Sequence, residues 1–373
     1  EFRRVLFRSS SGAKTLTLRV SSSGTAEFSG LLRNDLGNLF VTKDGSGTWT
    51  LSAANTYNGN TAVSAGTLRL AGPKGAIGSS TNITVSANAT LLLENTASTS
   101  NTNRLRDGTQ ITLNGGTLSF SNDGGDADYS ETAGALFVGS GASSVSASLA
   151  GVGRTSALTF SSLTRAGSGT VDFTGADLGE SDRNRIFIAG QPDGIIGVWA
   201  TVNGTDLAAY DSALGVVPAA LLSGGYKDIA ARGYSVITNS PGATVRIATD
   251  GVSGPIVLSD DTTEIETLMQ NTLTPATVDV SGKTFRADNL VIPEGRATIT
   301  VGTTASEGVL TPATPGAPLF LVNQAAAPLT INASVADNGA ASGLMTYDSG
   351  PVVLAGSNTY SGPTSTEIGR AHV

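Results

Sequence analysis

The sequence predicts an all-β chain folded as a right-handed parallel β-helix, a β-solenoid in which each coil stacks on the previous one. Three observations predict this fold: one segment recurs near both ends of the chain, short runs alternate apolar residues with threonine and serine, and glycine, asparagine and aspartate separate those runs. The right hand is expected because crossovers between parallel strands prefer it. A pair of β-sandwiches is the competing fold.

The recurring segment occupies residues 45–71 and again residues 348–366. Both copies read G-x-x-x-L-x-x-x-N-T-Y-x-G-x-T, the first from Gly47 and the second from Gly350. Recurrence of this kind is typical of a repeat architecture.

The repeat itself has the pattern of β-structure. Trp49 and Leu51 lie two residues apart among threonines, so one face of the strand is apolar and the other carries hydroxyl groups. Asn55 and the pair Asn58-Gly59 are expected to make a turn, because asparagine and glycine tolerate positive φ. A second alternating run follows at 67–70.

The unit resembles the autotransporter-associated β-strand repeat of very large surface and secreted proteins of Gram-negative and related bacteria. That family's pattern runs G-x-G-T-L-T-L-x-G-x-N-T-Y-x-G-x-T-x-V-x-x-G-T-L, from which residues 45–70 depart at Trp49 and Ala53, while the second copy ends after Thr366. The resemblance implies a structural or adhesive passenger region, secreted or at the cell surface and associated with the outer membrane. It also implies surface glycans, or the surfaces of host or neighbouring cells, as partners.

Composition supports many short strands and few helices. The chain has 47 glycines among 373 residues and only 14% charged residues, while its 39% hydrophobic residues are enough to argue against disorder. Cysteine is absent, which excludes disulfides and thiolate sites. No apolar run reaches the length of a membrane-spanning helix.

The two ends differ from the rest of the chain. Residues 1–9 and 367–373 can be encoded by one DNA element read on opposite strands, and that element resembles a short-read sequencing adapter. We therefore expect the native portion to be residues 10–366, one continuous β-solenoid, with the only histidine, His372, outside it. The two end peptides hold four arginines and two glutamates, so without them the formal net charge falls from −8 to −10. Such a chain is expected to bind neither nucleic acid nor a membrane.

Strand-like runs continue along the chain, with coils of roughly 20 to 25 residues. In the first half they are expected at 15–20, 25–28, 39–41, 83–85, 89–93, 111–113 and 117–120, and the pattern continues over 136–173. In the second half they are expected at 256–258, 264–268, 278–280, 285–292, 297–301, 319–322 and 329–335. Pro312, Pro315 and Pro318 predict a loop, because proline cannot donate to a sheet. No shift in composition marks an independent domain.

A different motif separates these halves. Residues 199–210 match a segment W-A-x-x-N-G-x-D-x-A-x-Y that often lies between repeat blocks in the family the chain resembles. The matching residues are Trp199, Ala200, Asn203, Gly204, Asp206, Ala208 and Tyr210. We expect a connecting coil with a longer loop here, the alternative being a surface insertion.

Carboxylates offer the one route to catalysis that the composition leaves open. Glu264 and Glu266 would share one face of a strand near Asp260 and Asp261, as a general acid and base would need. A solvated strand face with an acidic turn is the favoured interpretation.

Two further residue sets have possible binding chemistry. Asp123, Asp126 and Asp128 could surround calcium, although their spacing departs from the known calcium loops and a plain acidic loop is favoured. Trp49 and Trp199 could stack on sugars, although a place in the core or a turn is favoured. We therefore assign no catalytic, cofactor-binding or metal-binding residue.

Two functions remain after this reading. The first is a non-enzymatic passenger segment, which the repeat favours because a rod gains from each added coil. The second is a fragment of a β-helix carbohydrate-active enzyme, a polysaccharide lyase or glycosidase, which would need acids and bases gathered over adjacent coils. The low content of charged residues favours the first, and the chain is expected not to be an enzyme.

Overall fold

The computed structural model describes residues 12–21, 24–34, 36–96, 100–123, 127–151, 153–347 and 350–367. The chain forms two compact units, one of residues 1–203 and 208–221 and the other of residues 204–207 and 222–373. Each unit is a β-solenoid of stacked parallel strands, which confirms the predicted fold class. The prediction of a single continuous solenoid over residues 10–366 stays a prediction, as does the foreign origin of the two ends.

The described residues of the first unit form 21 strands in chain order and one short helix of the 3-10 type at Ala219–Leu221. The strands are β1 (Lys14–Arg19), β2 (Thr25–Phe28), β3 (Leu39–Asp44), β4 (Thr48–Leu51), β5 (Ala54–Asn55), β6 (Thr61–Val63), β7 (Gly66–Leu70), β8 (Ala76–Ile77), β9 (Asn82–Ser86), β10 (Ala89–Asn95), β11 (Gln110–Asn114), β12 (Thr117–Asn122), β13 (Tyr129–Val138), β14 (Ala142–Leu149), β15 (Ser156–Arg165), β16 (Thr170–Thr174), β17 (Asn184–Ile188), β18 (Gly194–Ile195), β19 (Ala200–Val202), β20 (Asp206–Asp211) and β21 (Gly215–Pro218).

Two long parallel sheets enclose the core of the first unit, and β5 and β8 form a third, two-stranded parallel sheet. One long sheet has the order β1-β3-β6-β9-β11-β13-β15-β17, and the other runs β2-β4-β7-β10-β12-β14-β16-β19. A coil therefore contributes one strand to each long sheet. Beyond β19, strand β20 pairs antiparallel with β18 and β21, so the segment expected to be a connecting coil with a long loop also forms antiparallel strands.

The core of this unit is built from rows of apolar side chains in register. Because successive side chains on a strand point to opposite faces, parallel strands in register place like residues above one another. One inward row of the second sheet consists of Trp49, Leu68, Leu91, Leu118, Val145, Phe173 and Val202. The alternation seen in the sequence is thus the alternation between this core and the outer face.

In the second unit, the part of the chain that the structure describes forms 17 strands. They are β22 (Lys227–Ala230), β23 (Val236–Ile237), β24 (Thr244–Thr249), β25 (Ile256–Leu258), β26 (Thr262–Glu264), β27 (Thr267–Gln270), β28 (Ala276–Asp279), β29 (Thr284–Arg286), β30 (Asn289–Ile292), β31 (Ile299–Val301), β32 (Val309–Thr311), β33 (Leu319–Asn323), β34 (Leu329–Ile331), β35 (Ser334–Val335), β36 (Leu344–Tyr347), β37 (Val352–Leu354) and β38 (Thr364–Glu367).

Three parallel sheets surround the core of the second unit. Their orders are β22-β24-β27-β30-β33-β36-β38, β23-β25-β28-β31-β34-β37 and β26-β29-β32-β35. A complete coil, such as β27, β28 and β29, therefore contributes one strand to each sheet. The buried apolar residues of this unit form a core cluster of their own.

Three long strands predicted in this half are wrong in one respect, because each is two strands joined at a corner. The predicted strands 264–268, 285–292 and 329–335 are β26 with β27, β29 with β30, and β34 with β35. The corners contain the fully buried Ile265, Ala287 and Ala333. Since residues on both sides of a corner face the same core, apolar alternation does not reveal that the chain has moved to another sheet.

Coil length varies more than expected. Residues paired across adjacent coils are 18 apart at Lys227 and Val245 but 31 apart at Asn289 and Phe320. The longer coil includes the proline-rich loop. The extra residues form loops between the strands of a coil, while the paired strands keep their register.

Candidate functional site: the repeat corner

The repeat motif forms the same corner in each unit. The first repeat corner consists of Asn55, Thr56, Tyr57, Gly59 and Thr61. The second repeat corner consists of the matching residues 303 positions later, Asn358, Thr359, Tyr360, Gly362 and Thr364.

Asn55 joins three successive coils through its side-chain amide. Its Oδ1 accepts a hydrogen bond of 2.9 Å from the backbone N–H of Leu32, in the preceding coil. Its Nδ2 donates to the carbonyl of Ala53 at 2.9 Å and to that of Ala76, in the following coil, at 3.0 Å. Asn55 is 1% exposed, so these groups have no water to replace the bonds. The motif needs asparagine here because one side chain must both donate and accept.

Tyr57 anchors the other side of the corner. Its buried hydroxyl lies 2.8 Å from the hydroxyl of Thr61, and burial raises the pKa of the phenol, which keeps it neutral. Ser80, in the following coil, lies 3.2 Å from the Thr61 hydroxyl and donates to the carbonyl of Gly59 at 3.0 Å. The threonine of the motif thus links its own coil to the next one.

Gly59 is required for space and not for an unusual backbone angle. Neither Asn58 nor Gly59 has a positive φ, so the backbone angle on which the predicted turn was based is wrong, although the chain does turn here between β5 and β6. A Cβ on Gly59 would lie 2.3 Å from the carbonyl oxygen of Leu39, which is too close for any side chain. The positive φ values of this repeat belong to Gly45, at +76°, and Gly66, at +64°.

The second repeat corner makes the same bonds to its preceding coil. Asn358 Oδ1 accepts from the N–H of Val335 at 2.9 Å, and the N–H of Thr359 donates to the Val335 carbonyl at 2.8 Å. The Tyr360 hydroxyl lies 2.7 Å from that of Thr364. The motif therefore makes the same contacts with the preceding coil in both copies.

Sequence reasoning missed one residue of this site. Asn34 Oδ1 accepts from the N–H of Leu39 at 2.9 Å and from that of Asn58 at 3.3 Å. Asp337 takes the two matching bonds in the second copy, at 2.8 and 3.0 Å, and hydrogen bonds, chiefly from the Ser361 hydroxyl, lower its pKa. Extending the comparison of the two copies backward by 21 residues from the N-T-Y motif would have aligned Asn34 with Asp337.

Buried polar side chains continue up the first unit. Asn95 Nδ2 donates to Asn122 Oδ1 at 2.9 Å, and Asn122 Nδ2 donates to the Ser156 hydroxyl at 2.9 Å. Asn184 Nδ2 donates to a backbone carbonyl at 2.8 Å. Coils that lack the N-T-Y motif thus also use buried amides to link neighbours.

Glu131 is the most deeply buried carboxylate of the unit, at 1% exposure. Its two oxygens accept from the backbone N–H groups of Arg104 and Leu105, both at 2.9 Å. Arg104 is itself fully buried and donates to Asn95 Oδ1 and to the carbonyl of Gly75. Burial raises the pKa of Glu131 to about 7, against the lowering effect of the two N–H groups and the Arg104 charge. Both oxygens are used by the fold, so this is a structural carboxylate.

The structure does not bring Glu264 and Glu266 together as the pair of catalytic carboxylates that the sequence left open as the less favoured alternative. Glu264 ends β26, and Glu266 lies in the corner before β27, so the two do not share a strand face. Glu264 lies 3.4 Å from Arg286 in a half-buried ion pair. Asp260 and Asp261 are exposed in the turn before β26. The physical reason is the corner at residue 265, where the chain changes sheets.

The acidic loop is described only in part. Asp126 lies outside the described residues, while Asp123 is exposed. Asp128 Oδ1 accepts from the N–H of Thr155 at 2.9 Å, which lowers the pKa of Asp128. Across the part of the chain that the structure describes, no group of three or more His, Cys, Asp or Glu residues could hold a metal ion.

The two tryptophans pack on protein. Trp49 belongs to the inward row, in register with Leu68, and its indole N–H is buried. Trp199 is half-buried, with the guanidinium of Arg165 5.7 Å from its ring centroid. Each ring has the core or packing position that the sequence favoured over sugar stacking.

The motif around Trp199 serves the end of the first unit. Asn203 Oδ1 accepts from the N–H of Gly175 at 3.0 Å, and its Nδ2 donates to the Gly175 carbonyl at 3.2 Å. The Tyr210 hydroxyl accepts from the N–H of Ile188 at 3.2 Å. These residues hold the antiparallel strands against the preceding coil.

The outer face of the second sheet of this unit carries a row of hydroxyl groups. In register order the outward residues of this hydroxyl row are Thr25, Thr48, Thr67, Thr90, Thr117, Ser144 and Asp172. The next residue in register, Thr201, is buried, and its hydroxyl donates to Asp172 Oδ1 at 2.8 Å. Neighbouring strands of a sheet are about 4.8 Å apart, so the row repeats at that spacing. It is a surface of hydrogen-bond donors and acceptors that is neutral except at Asp172.

Comparison with known proteins places the repeat in a family. Residues 41–70 and 348–365 match the family model of the passenger-associated-transport-repeat. No curated protein and no solved structure matches the chain. Among the described residues, no helix is long and apolar enough to cross a membrane. The repeat implies a secreted or cell-surface location. The chain is thus an all-β solenoid that contains two copies of the passenger-associated-transport repeat, as the resemblance to autotransporter passenger proteins predicted.

Proposed function

We propose that this chain is a non-enzymatic structural and adhesive passenger region of an autotransporter-like bacterial protein, secreted or associated with the outer membrane. One observation carries the proposal: both repeat corners bind the preceding coil with the same hydrogen bonds. The polar side chains of the motif therefore serve to hold each coil against its neighbour. A segment whose repeats serve stacking gains length with each coil, which suits a spacer.

The hydroxyl row is the surface we propose for adhesion. Its threonines and serine both donate and accept hydrogen bonds, as the hydroxyl groups of surface glycans do. Because the row repeats from coil to coil, several weak contacts would act together along an extended partner. Glycans on host or neighbouring cells are the partner class that fits.

Location is tested on the full-length protein in its own cells. Intact cells treated with a protease should lose the repeat epitopes while a cytoplasmic marker survives. Protection of the repeat until the cells are lysed would contradict the proposed location.

The absence of catalysis is tested on the purified chain with pectin, alginate and chitin oligomers. We expect neither new reducing ends nor unsaturated products. Release of either at a rate that scales with protein concentration would overturn the proposal and favour a polysaccharide lyase or glycosidase.

The spacer role is tested by removing one coil. Deleting residues 267–288 removes β27, β28 and β29 and places Asn289 opposite Thr244, where Thr267 was. This variant should fold and keep its glycan binding, since the remaining strands stay in register. Deleting residues 267–284 is the matched control and should unfold the second unit. Loss of binding in the folded coil deletion would place the binding function in that coil and refute a spacer role.

A further inference from the structure

Three of the four most exposed large apolar side chains among the described residues lie at one corner of the second unit. They are Val252, which is 77% exposed, Leu273, which is 75% exposed, and Tyr234, which is 65% exposed. Tyr234 lies in the loop between β22 and β23, Val252 between β24 and β25, and Leu273 between β27 and β28. Because β22, β24 and β27 are neighbours in one sheet and β23, β25 and β28 in another, these loops belong to successive coils. We call the three residues the apolar ridge.

Tyr234 is held in a backbone conformation that a bulky side chain disfavours. Its φ is +58°, in the left-handed region, which strains the backbone of any residue other than glycine. The N–H of Tyr234 donates to the carbonyl of Pro255 at 2.9 Å, and the N–H of Gly233 donates to the carbonyl of Gly254 at 3.2 Å. The next coil thus fixes the strained turn. Residues in such conformations cluster at functional sites, which directs attention to what the ring does.

The ring of Tyr234 rests on a glycine of the next coil. A Cβ on Gly254 would lie 2.9 Å from Tyr234 Cε2 and 3.1 Å from Tyr234 Cδ2. In the same way, a Cβ on Gly233 would lie 3.1 Å from Val252 Cγ2. The two coils therefore support each other's apolar side chains on glycines. The exposure of Tyr234 means that at least one face of its ring stays open to solvent.

The size of the apolar ridge decides which kind of ligand fits it. A stable protein interface takes about 20–30 residues from each partner, far more than the ridge provides. A sugar ring needs only an open aromatic face, because the negative π face attracts the C–H groups of the sugar. In a β-1,4-linked glucan every hydroxyl group is equatorial, so both faces of each sugar are C–H surfaces. Such a chain is extended and uncharged, and its successive sugars can follow the ridge from coil to coil.

We propose that the apolar ridge is a binding site for β-1,4-linked glucans, with Tyr234 as the stacking residue. Val252 and Leu273 extend the apolar surface over the next two coils. Ser253 is exposed beside Val252 and offers a hydroxyl group to those of the sugar. The ridge belongs to the second unit and the hydroxyl row to the first, so the proposal does not rest on the proposed function.

Binding of cellohexaose to the full chain, measured by isothermal titration calorimetry, tests the proposal. Tyr234→Gly should weaken binding by about tenfold or more, because it removes the stacking surface, whereas Tyr234→Phe keeps the ring and should retain binding. The matched control is Leu36→Ser, which removes an apolar side chain of the first unit that is 72% exposed and should leave binding unchanged. Absence of binding by the original chain, or equal affinity in Tyr234→Gly, would overturn the proposal.

The stability of the same variants separates a ligand-binding role from a structural one. Glycine accepts a positive φ, so Tyr234→Gly relieves strain and should leave the urea midpoint of the second unit unchanged or raise it. A lowered midpoint would show that Tyr234 serves the fold, and the proposal would be wrong. Thr117→Val changes the hydroxyl row alone. If this variant weakens cellohexaose binding and Tyr234→Gly does not, the glucan binds the hydroxyl row, which supports the proposed function and refutes the ridge.

Discussion

The two copies of the repeat allow one substitution to be compared at two levels of burial. Asn55→Ala removes three hydrogen bonds and leaves the Leu32 N–H and the Ala76 carbonyl without this partner in a dry interior. At about 1 kcal/mol for each bond lost, we expect a cost of about 3 kcal/mol in the unfolding free energy of the first unit. Asn358→Ala removes one bond at an exposed corner, so about 1 kcal/mol is expected in the second unit.

Native-state hydrogen exchange is the assay, because it reports each unit separately. Amides of β4, β6 and β9 should exchange on the order of a hundredfold faster in Asn55→Ala, since each 1.36 kcal/mol is a factor of about ten. Amides of β36 and β37 should change by less than about tenfold in Asn358→Ala. Equal effects in the two units would refute the claim that the buried asparagine acts by joining three coils.

Three further predictions concern single residues of the first unit. Gly59→Ala should cost about 2 kcal/mol or more in urea unfolding, because its Cβ would meet a backbone carbonyl at 2.3 Å, whereas Gly78→Ala, with open space around its Cβ, should be neutral. Tyr57→Phe should cost about 1 kcal/mol, since it removes the bond to Thr61 and keeps the packing, and an unchanged midpoint would contradict that role. The pKa of Glu131 is raised from 4.5 to about 7, so its contribution to stability is complete below pH 4.5 and is lost as the pH rises through 7, a change of about 3 kcal/mol. Glu131→Gln should flatten the dependence of unfolding free energy on pH between 5 and 7, and a wild-type slope in that variant would show that another group titrates.

Local pattern was sufficient for many of the strands and for the repeat, although it did not reveal the corners within 264–268, 285–292 and 329–335. The run at 25–28, where Thr25 and Glu27 alternate with apolar residues, and the short apolar run at 256–258 are strands with the predicted bounds. The motif was recognisable because its asparagine, tyrosine and glycine recur at identical spacing. The matched residues then led to the family.

The partners of those residues were not readable from the chain. Asn55 was expected to serve its own turn and does bond to the carbonyl of Ala53, but it also binds Leu32 and Ala76, which lie about one coil away on either side. Glu264 and Glu266 were expected on one face, yet a corner separates them. Each outcome depends on which residues of the neighbouring coils lie next to the side chain, and the register of the stacked strands decides that.

The sequence by itself thus determined the secondary structure, the fold class and the repeat, because alternation and spacing are local and each residue carries its share of the signal. Only the tertiary structure decided why the motif contains those residues. Asparagine and glycine are selected by groups one coil away, whereas tyrosine bonds to the threonine of its own corner. Along the chain the separation of residues paired on adjacent coils varies from 18 to 31 residues with the length of each loop. Because the separation in sequence between contacting coils is not constant, the sequence contains no period that reveals these contacts. The stacking of the coils in the structure was therefore needed to explain the corner.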